Sequence, residues 1–182
     1  IINVNGWVDM DALPSPDYSI FLFRSYKYSP ILNKTPFLTI QSSRGCPYSC
    51  GYYCTYPTSQ GKKVRYRDPN LLIEDIRFMK KNFSMKSLLF RDPIFGIDKK
   101  YPIKLSEKLL ENNIKINWGI ETRADLLNKD NLTIMKNAGL SSINIGIETN
   151  NIQIAKMNKR KLTEASHQKE IIGFCNNLGI KI

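Results

Sequence analysis

Of the four cysteines in this sequence, three crowd the segment Cys46-Pro47-Tyr48-Ser49-Cys50-Gly51-Tyr52-Tyr53-Cys54, and these thiols have the clearest capacity for chemistry. Three close thiols cannot all pair among themselves, so the segment is a poor disulfide framework and favours metal. Two metal chemistries fit the spacing. Three thiolates on one loop can hold three irons of a 4Fe–4S cube and leave the fourth iron open. The other is a structural zinc site, whose fourth ligand would have to come from elsewhere. The single histidine, His167, lies far along the chain. Cys175 sits at helical spacing among apolar residues and reads as core. Tyr48, Tyr52, Tyr53 and Tyr56 share the cysteine segment and can wall it against water.

The elements that would position this loop follow from hydrophobic period. Phe37–Ile40 reads as a strand that leads directly into the cysteines. Residues 87–90, 115–120 and 142–147 read as further strands, and Gly179–Ile182 would start a fifth. Helices are expected between them. Asp68-Pro69 offers a cap and a first-turn proline ahead of Leu72, Ile76, Met79 and Phe83 on one face. Leu105 and Leu109 mark the next helix. Asn128 caps a third, with Leu132 and Met135 inward and Gly139 as its stop. Thr163 caps a fourth, with Ile171, Phe174, Cys175 and Leu178 inward. Ile116–Thr122 and Ile143–Thr149 are the same sequence except for Trp118 against Ile145. That repeat implies equivalent strand ends, with Glu121 and Glu148 both at the C-terminal rim. Repeated strand–helix units imply parallel strands in an α/β fold, here a partial (β/α) barrel of about five strands with its C-terminal part missing. Residues 1–36, with Pro14, Pro16, Pro30 and Pro36, read as an irregular lead-in from an upstream domain, carrying aromatic anchors at Trp7, Tyr18 and Phe21. Residues 37–182 form the core.

Composition bounds the partners. The chain of 182 residues is 42% hydrophobic and 24% charged, a globular mix sufficient for one well-cored domain. No apolar run is long enough to span a membrane, and the first residues lack the order of a secretion signal. The expected location is the cytoplasm. A net charge of +11 permits nucleic-acid binding, but only a clustered excess informs about partners. One cluster exists, Lys62-Lys63-Val64-Arg65-Tyr66-Arg67. It is expected to be a solvated loop whose arginines cap the neighbouring helix or pair with Asp68, rather than an RNA contact.

Ser43-Arg44-Gly45-Cys46-Pro47-Tyr48-Ser49-Cys50-Gly51-Tyr52-Tyr53-Cys54 after a strand, then a βα series, resembles the radical S-adenosylmethionine (radical SAM) superfamily from about Phe37 to Ile182. Further features look like its cobalamin-binding-domain branch. These are the Arg-Gly-Cys-Pro-Tyr opening, Leu13-Pro14-Ser15-Pro16-Asp17-Tyr18, and Arg65–Pro69. Phe90–Phe95, Glu121-Thr122-Arg123 and Gly146-Ile147-Glu148 add to this. Two features depart from the family. The usual cysteine spacing is three residues, then two; here it is three and three, the extra one being Gly51, Tyr52 or Tyr53. The family core has six strands, against five here.

The resemblance implies an enzyme in which Cys46, Cys50 and Cys54 ligate a 4Fe–4S cluster. Its open iron chelates S-adenosylmethionine, which is reductively cleaved to methionine and a 5′-deoxyadenosyl radical. Cobalamin-associated methyl transfer is the leading subtype, with cobalamin held outside this chain. By the same resemblance Tyr53 packs near adenine, and Glu148, ending the fourth strand, contacts the ribose or amino acid of the cofactor. Arg91, Asp92, Glu121 and Arg123 lie at strand ends facing the cofactor, with buried ion pairing as their competing role. Implied partners are a small-molecule substrate and an electron donor such as flavodoxin or ferredoxin, with no membrane and no nucleic acid. The competing readings are a radical methylthiotransferase acting on tRNA and a non-catalytic zinc-binding module.

Overall fold

A computed structural model describes residues 6–28, 32, 34–51 and 53–182. In chain order its elements are β1 (Phe37–Ile40), β2 (Ser43–Arg44), α1 (Tyr56–Ser59), β3 (Arg65–Tyr66), α2 (Pro69–Phe83), β4 (Ser87–Phe90), α3 (Tyr101–Glu111), β5 (Asn117–Thr122), α4 (Lys129–Asn137), β6 (Leu140–Ile145), α5 (Ile152–Met157) and α6 (Ala165–Asn177). One parallel sheet runs β1-β4-β5-β6, while β2 and β3 form a separate antiparallel ribbon. Each parallel crossover is a helix, the architecture of an α/β partial barrel.

Strand register sorts the side chains into two faces. Across the sheet Leu38 pairs with Leu88, Leu88 with Trp118 and Trp118 with Leu140; Ile40, Phe90, Ile120 and Ile143 form the next row. These rows join Leu72, Ile76, Met79, Leu105, Leu109, Leu132 and Met135 in one hydrophobic core beneath the helices. Trp118 stands edge-on to Phe90 at 5.7 Å, and its indole N–H donates to the Ala138 carbonyl at 2.9 Å. The opposite, inner face is small and polar where it nears the rim. Leu89 pairs with Gly119, Gly119 with Ser142, and Glu121 with Asn144.

The helix ends follow their sequence signals where a side chain can reach a free N–H. Asp68 accepts from the Asn70 N–H at 2.8 Å, and Asn128 from the Asn131 N–H at 2.9 Å. Gly139 stops α4 at φ +103, where a Cβ would lie 2.2 Å from the Ile116 carbonyl oxygen. Thr163 does not cap α6. Glu164 takes that position without a side-chain cap bond, and the Thr163 carbonyl instead accepts from Gln168 at 2.8 Å. The third and fourth strands run 117–122 and 140–145, shifted from the expected 115–120 and 142–147. The expected fifth strand is a single parallel bridge: Lys181 donates to Ser141 at 2.9 Å, and Ile143 to Lys181 at 2.8 Å.

β1 is an edge strand, and the lead-in covers it. The Tyr18 hydroxyl donates to the Thr39 carbonyl at 2.7 Å and accepts from the Thr39 N–H at 3.1 Å, so one oxygen satisfies both edge groups. Tyr18 also packs against Phe23 and Phe83. Pro30 lies outside the described residues. Tyr18→Phe should lower unfolding free energy by about 1–2 kcal/mol, the cost of stripping partners from partly buried backbone groups. Urea titration checks this, and an unchanged midpoint would mean that water serves the edge equally well.

Candidate active site

The cysteine loop is an excursion from the antiparallel ribbon. β2 and β3 clasp its two ends, and the Cys46 N–H donates to the Gly61 carbonyl at 3.0 Å. Gly45 makes the turn at φ +101, where any Cβ would lie 2.2 Å from the Lys63 carbonyl oxygen. Only glycine fits this approach.

A buried carboxylate fixes where the loop starts. Asp92, just past β4 and 1% exposed, accepts from the Ser42 N–H at 2.7 Å, the Ser42 hydroxyl at 2.5 Å and the Ser43 hydroxyl at 2.7 Å. Burial pushes its carboxyl up to about 6 against the pull of those serines. The Ser42 carbonyl accepts from the Arg67 N–H at 2.9 Å, closing the return of the ribbon. Asp92 therefore anchors the loop and does not line the cavity that the cysteines face.

That cavity, about 330 Å³, is lined by Cys46, Cys50, Cys54, Tyr53, Tyr56, Glu121, Arg123 and Glu148 among others. Residues from the loop, β5 and the segment after β6 thus meet at the C-terminal rim of the sheet, the end at which parallel α/β folds place chemistry. Cys46 and Cys50 are buried, and burial pushes the Cys46 thiol up from its ordinary range. Tyr52 lies outside the described residues.

Arg123 is 4% exposed, and its guanidinium lies over the Tyr48 ring at 4.8 Å. Its Nε donates to Asp125 at 2.8 Å, and Nη2 donates to the Lys161 carbonyl at 2.9 Å. Nη1 is buried without a hydrogen-bond partner. Arg123 is nevertheless a lining residue, so its guanidinium puts positive charge in the cavity wall, suited to an anionic group of a ligand. Glu121 is held at the rim by Arg91, while Asn144 donates to the Tyr28 hydroxyl at 2.6 Å beside it. Arg91 itself is outside the cavity and reaches it only through Glu121.

The repeated tetrapeptides are not equivalent. Sheet register pairs Glu121 with Asn144, so the second Gly-Ile-Glu-Thr falls beyond the end of β6. Glu148 lies in a loop at φ +64, a left-handed backbone that costs a non-glycine residue roughly 1–3 kcal/mol. Arg160 supports it: its Nη2 lies 3.8 Å from Glu148 Oε1 and donates to the Gly146 carbonyl. Sequence reasoning missed Arg160 and Asn144. Asn144 was within reach, because it sits in the repeat and on the polar inner row.

The residues present fit a cluster, since Cys46, Cys50 and Cys54 all line this cavity. Among the described residues no three His, Cys, Asp or Glu side chains converge to hold one metal ion. A cube takes each thiolate on a different iron, so it needs thiols arranged around an opening, as here. His167 bonds the Ala124 carbonyl at 3.0 Å, and Cys175 is in the core, its thiol pushed up to about 11 by burial.

A parallel α/β partial barrel with a cysteine loop at its rim defines a class, and the comparisons agree. The sequence profile of the Radical SAM superfamily matches residues 40–181. The chain belongs to that superfamily, enzymes that use a 4Fe–4S cluster and S-adenosylmethionine. It is 27% identical over 141 residues to an uncharacterized methyltransferase of Pyrococcus horikoshii, covering 78% of this chain and 30% of that protein. It is 27% identical over 150 residues to hopanoid C-3 methylase of Methylococcus capsulatus, covering 81% of this chain and 28% of that protein. The chain thus spans less than a third of these relatives. The radical S-adenosylmethionine methyltransferase TsrM of Kitasatospora setae shares the fold, with a TM-score of 0.71 at 13% identity over 79% of this chain and 29% of its own.

Asp92 gives a pH prediction. Its folded carboxyl titrates near 6, above an unfolded value of about 4. Between those values the folded state holds the extra proton, so this group's contribution to stability falls as pH rises from about 4 to 6. Asp92→Asn should remove that slope, as read from denaturation midpoints of both proteins across this range. Parallel profiles would show that Asp92 ionises normally.

Proposed function

We propose that this chain is the catalytic core of a cobalamin-associated radical SAM methyltransferase. Residues 37–182 are the core, and residues 1–36 the lead-in from an upstream domain that binds cobalamin. The observation that carries the reading is the convergence of Cys46, Cys50 and Cys54 with Arg123 on one cavity. The methyl-transfer names of the two relatives support the subtype.

When bound, the cluster and S-adenosylmethionine supply one-electron reductive cleavage of the sulfonium, giving methionine and a 5′-deoxyadenosyl radical. The chain's own residues bind, orient and exclude water. Cys46, Cys50 and Cys54 ligate three irons despite the longer second spacing, because exposed Gly51 at φ +53 absorbs the extra residue. Arg123 in the same wall supplies the positive charge that would face the carboxylate of the cofactor. Glu148, fixed by Arg160, accepts from its amino group or ribose. Glu121, braced by Arg91, presents a second carboxylate at the rim. Tyr53 and Tyr56 wall the opening beside the adenine.

The substrate is a small molecule, and the electron comes from a carrier such as flavodoxin or ferredoxin. No helix among the described residues is long and apolar enough to cross a membrane. Three adjacent thiols suit the reducing cytoplasm, where we place the protein.

Anaerobic reconstitution should load close to one 4Fe–4S cluster per chain, measured as iron and acid-labile sulfide. Alanine at Cys46, Cys50 or Cys54 should abolish loading, and Cys175→Ala should not. Stoichiometric zinc without sulfide would sink the assignment. Glu148→Gln should weaken S-adenosylmethionine binding about ten-fold, as expected for one lost charged hydrogen bond, with loading unchanged. A parallel fall in loading would make Glu148 structural.

A further inference from the structure

A second cavity, about 680 Å³, opens between the lead-in and the end of β1. Leu13, Pro14, Pro16 and Ile40 give it apolar surface, and Arg44 and Arg91 bring positive charge into the same lining. It shares no lining residue with the cysteine-lined cavity, yet the two meet across one ion pair. Arg91 lines this cavity, and its partner Glu121 lines the other.

Five charged side chains line the second cavity, and most of them are committed. Arg67, from the basic segment, pairs with buried Asp75 at 2.7 Å rather than with Asp68, and it also donates to the Met10 carbonyl. Ser15 donates to the other Asp75 oxygen at 2.6 Å. Asp17 is exposed and accepts from the Ser19 N–H at 2.8 Å. Arg91 is held by Glu121. Arg44 differs: it is half-buried and makes no ion pair among the described residues. Its Nε donates to Gln41 Oε1 at 2.8 Å, and Gln41 Nε2 donates to the Arg91 carbonyl at 3.1 Å. The Gln41 amide therefore ties the Arg44 guanidinium to the end of β4 and leaves Nη1 and Nη2 to other acceptors.

We propose that this cavity binds a small amphipathic carboxylate, with the two carboxylate oxygens on Arg44 and the apolar body against Leu13, Pro16 and Ile40. A planar guanidinium donates two parallel hydrogen bonds to a carboxylate, a match that a lysine would not offer. One uncommitted positive charge calls for one negative charge. Arg91, whose own charge is offset by Glu121, adds a polar edge. Apolar walls with a few fixed polar groups, in a volume of this size, are the usual make-up of a small-molecule site. The site stands on this geometry and goes beyond the cluster reading, since none of the three cysteines lines it.

The test titrates octanoate and octan-1-ol, which differ in the charged end, into the full chain by calorimetry. Octanoate should bind at least about ten-fold tighter, as one charged two-point contact contributes. Arg44→Gln should remove that advantage. Lys104→Gln, which deletes an exposed charge on α3 outside the cavity, should change octanoate affinity less than about two-fold. In the unmodified protein octanoate should shift the methyl NMR signals of Leu13 and Ile40, a readout that needs no variant to fold. Octan-1-ol binding as tightly as octanoate, or equal losses from the two substitutions, overturns the carboxylate contact. Octanoate that fails to bind, or binds without moving those methyl signals, overturns the cavity. Every arm is read on protein without iron, so failure here leaves the cluster reading standing, and failure to load a cluster leaves this site standing.

Discussion

One buried carboxylate holds together the parts of the site that differ most in regularity. β1 is a short parallel strand, and among the described residues the cysteine loop that follows it has no strand pairing beyond the two-residue ribbon. Asp92 joins them by accepting three hydrogen bonds from Ser42 and Ser43, four and three residues ahead of Cys46. A carboxylate without water is costly unless its oxygens are satisfied. Those same bonds make the position of the loop's root specific. Arg67 closes the other end by donating its N–H to Ser42, and its guanidinium binds Asp75 on α2. Ser15 donates to Asp75 at 2.6 Å, which ties the lead-in to the same network. From Ser15 to Asp92, a single chain of polar contacts sets the cysteine loop against the sheet.

The cavity beyond that anchor has a consistent electrostatic plan. Its cationic groups each have a partner: Arg123 is stacked on Tyr48 and Arg160 is bonded to Gly146. Its carboxylates are each braced by an arginine, Glu121 by Arg91 and Glu148 by Arg160. Charged groups held in this way need little reorganisation to act on another charge. The left-handed backbone at Glu148 adds strain at the same place, and strained residues concentrate where function holds them.

Much of the sheet was readable from periodicity because each buried row is continuous. Phe37–Ile40 and Ser87–Phe90 form with the expected bounds, and the caps at Asp68 and Asn128 form because their side chains meet a free N–H. Thr163 fails as a cap because its neighbour Glu164 takes the position. The repeat was misleading for a physical reason. Identity of sequence fixes local preference, but register between neighbouring strands fixes position, and the pairing sets Glu121 opposite Asn144, four residues short of Glu148. Glu148 consequently reaches the cavity from a loop. Asp92 was identified as a rim residue but not as an anchor, since its serine partners lie some fifty positions away. Arg160 left no local signal at all, because its role is to hold a loop that only the fold brings near.

The central claim is that the cysteine-held group keeps a coordination position open for S-adenosylmethionine. The most direct measurement is the electron paramagnetic resonance spectrum of the reconstituted, dithionite-reduced protein before and after S-adenosylmethionine is added. A fully loaded protein should change its spectrum on addition, because the cofactor binds an iron that no cysteine occupies. An unchanged spectrum at full loading and saturating cofactor would contradict the account.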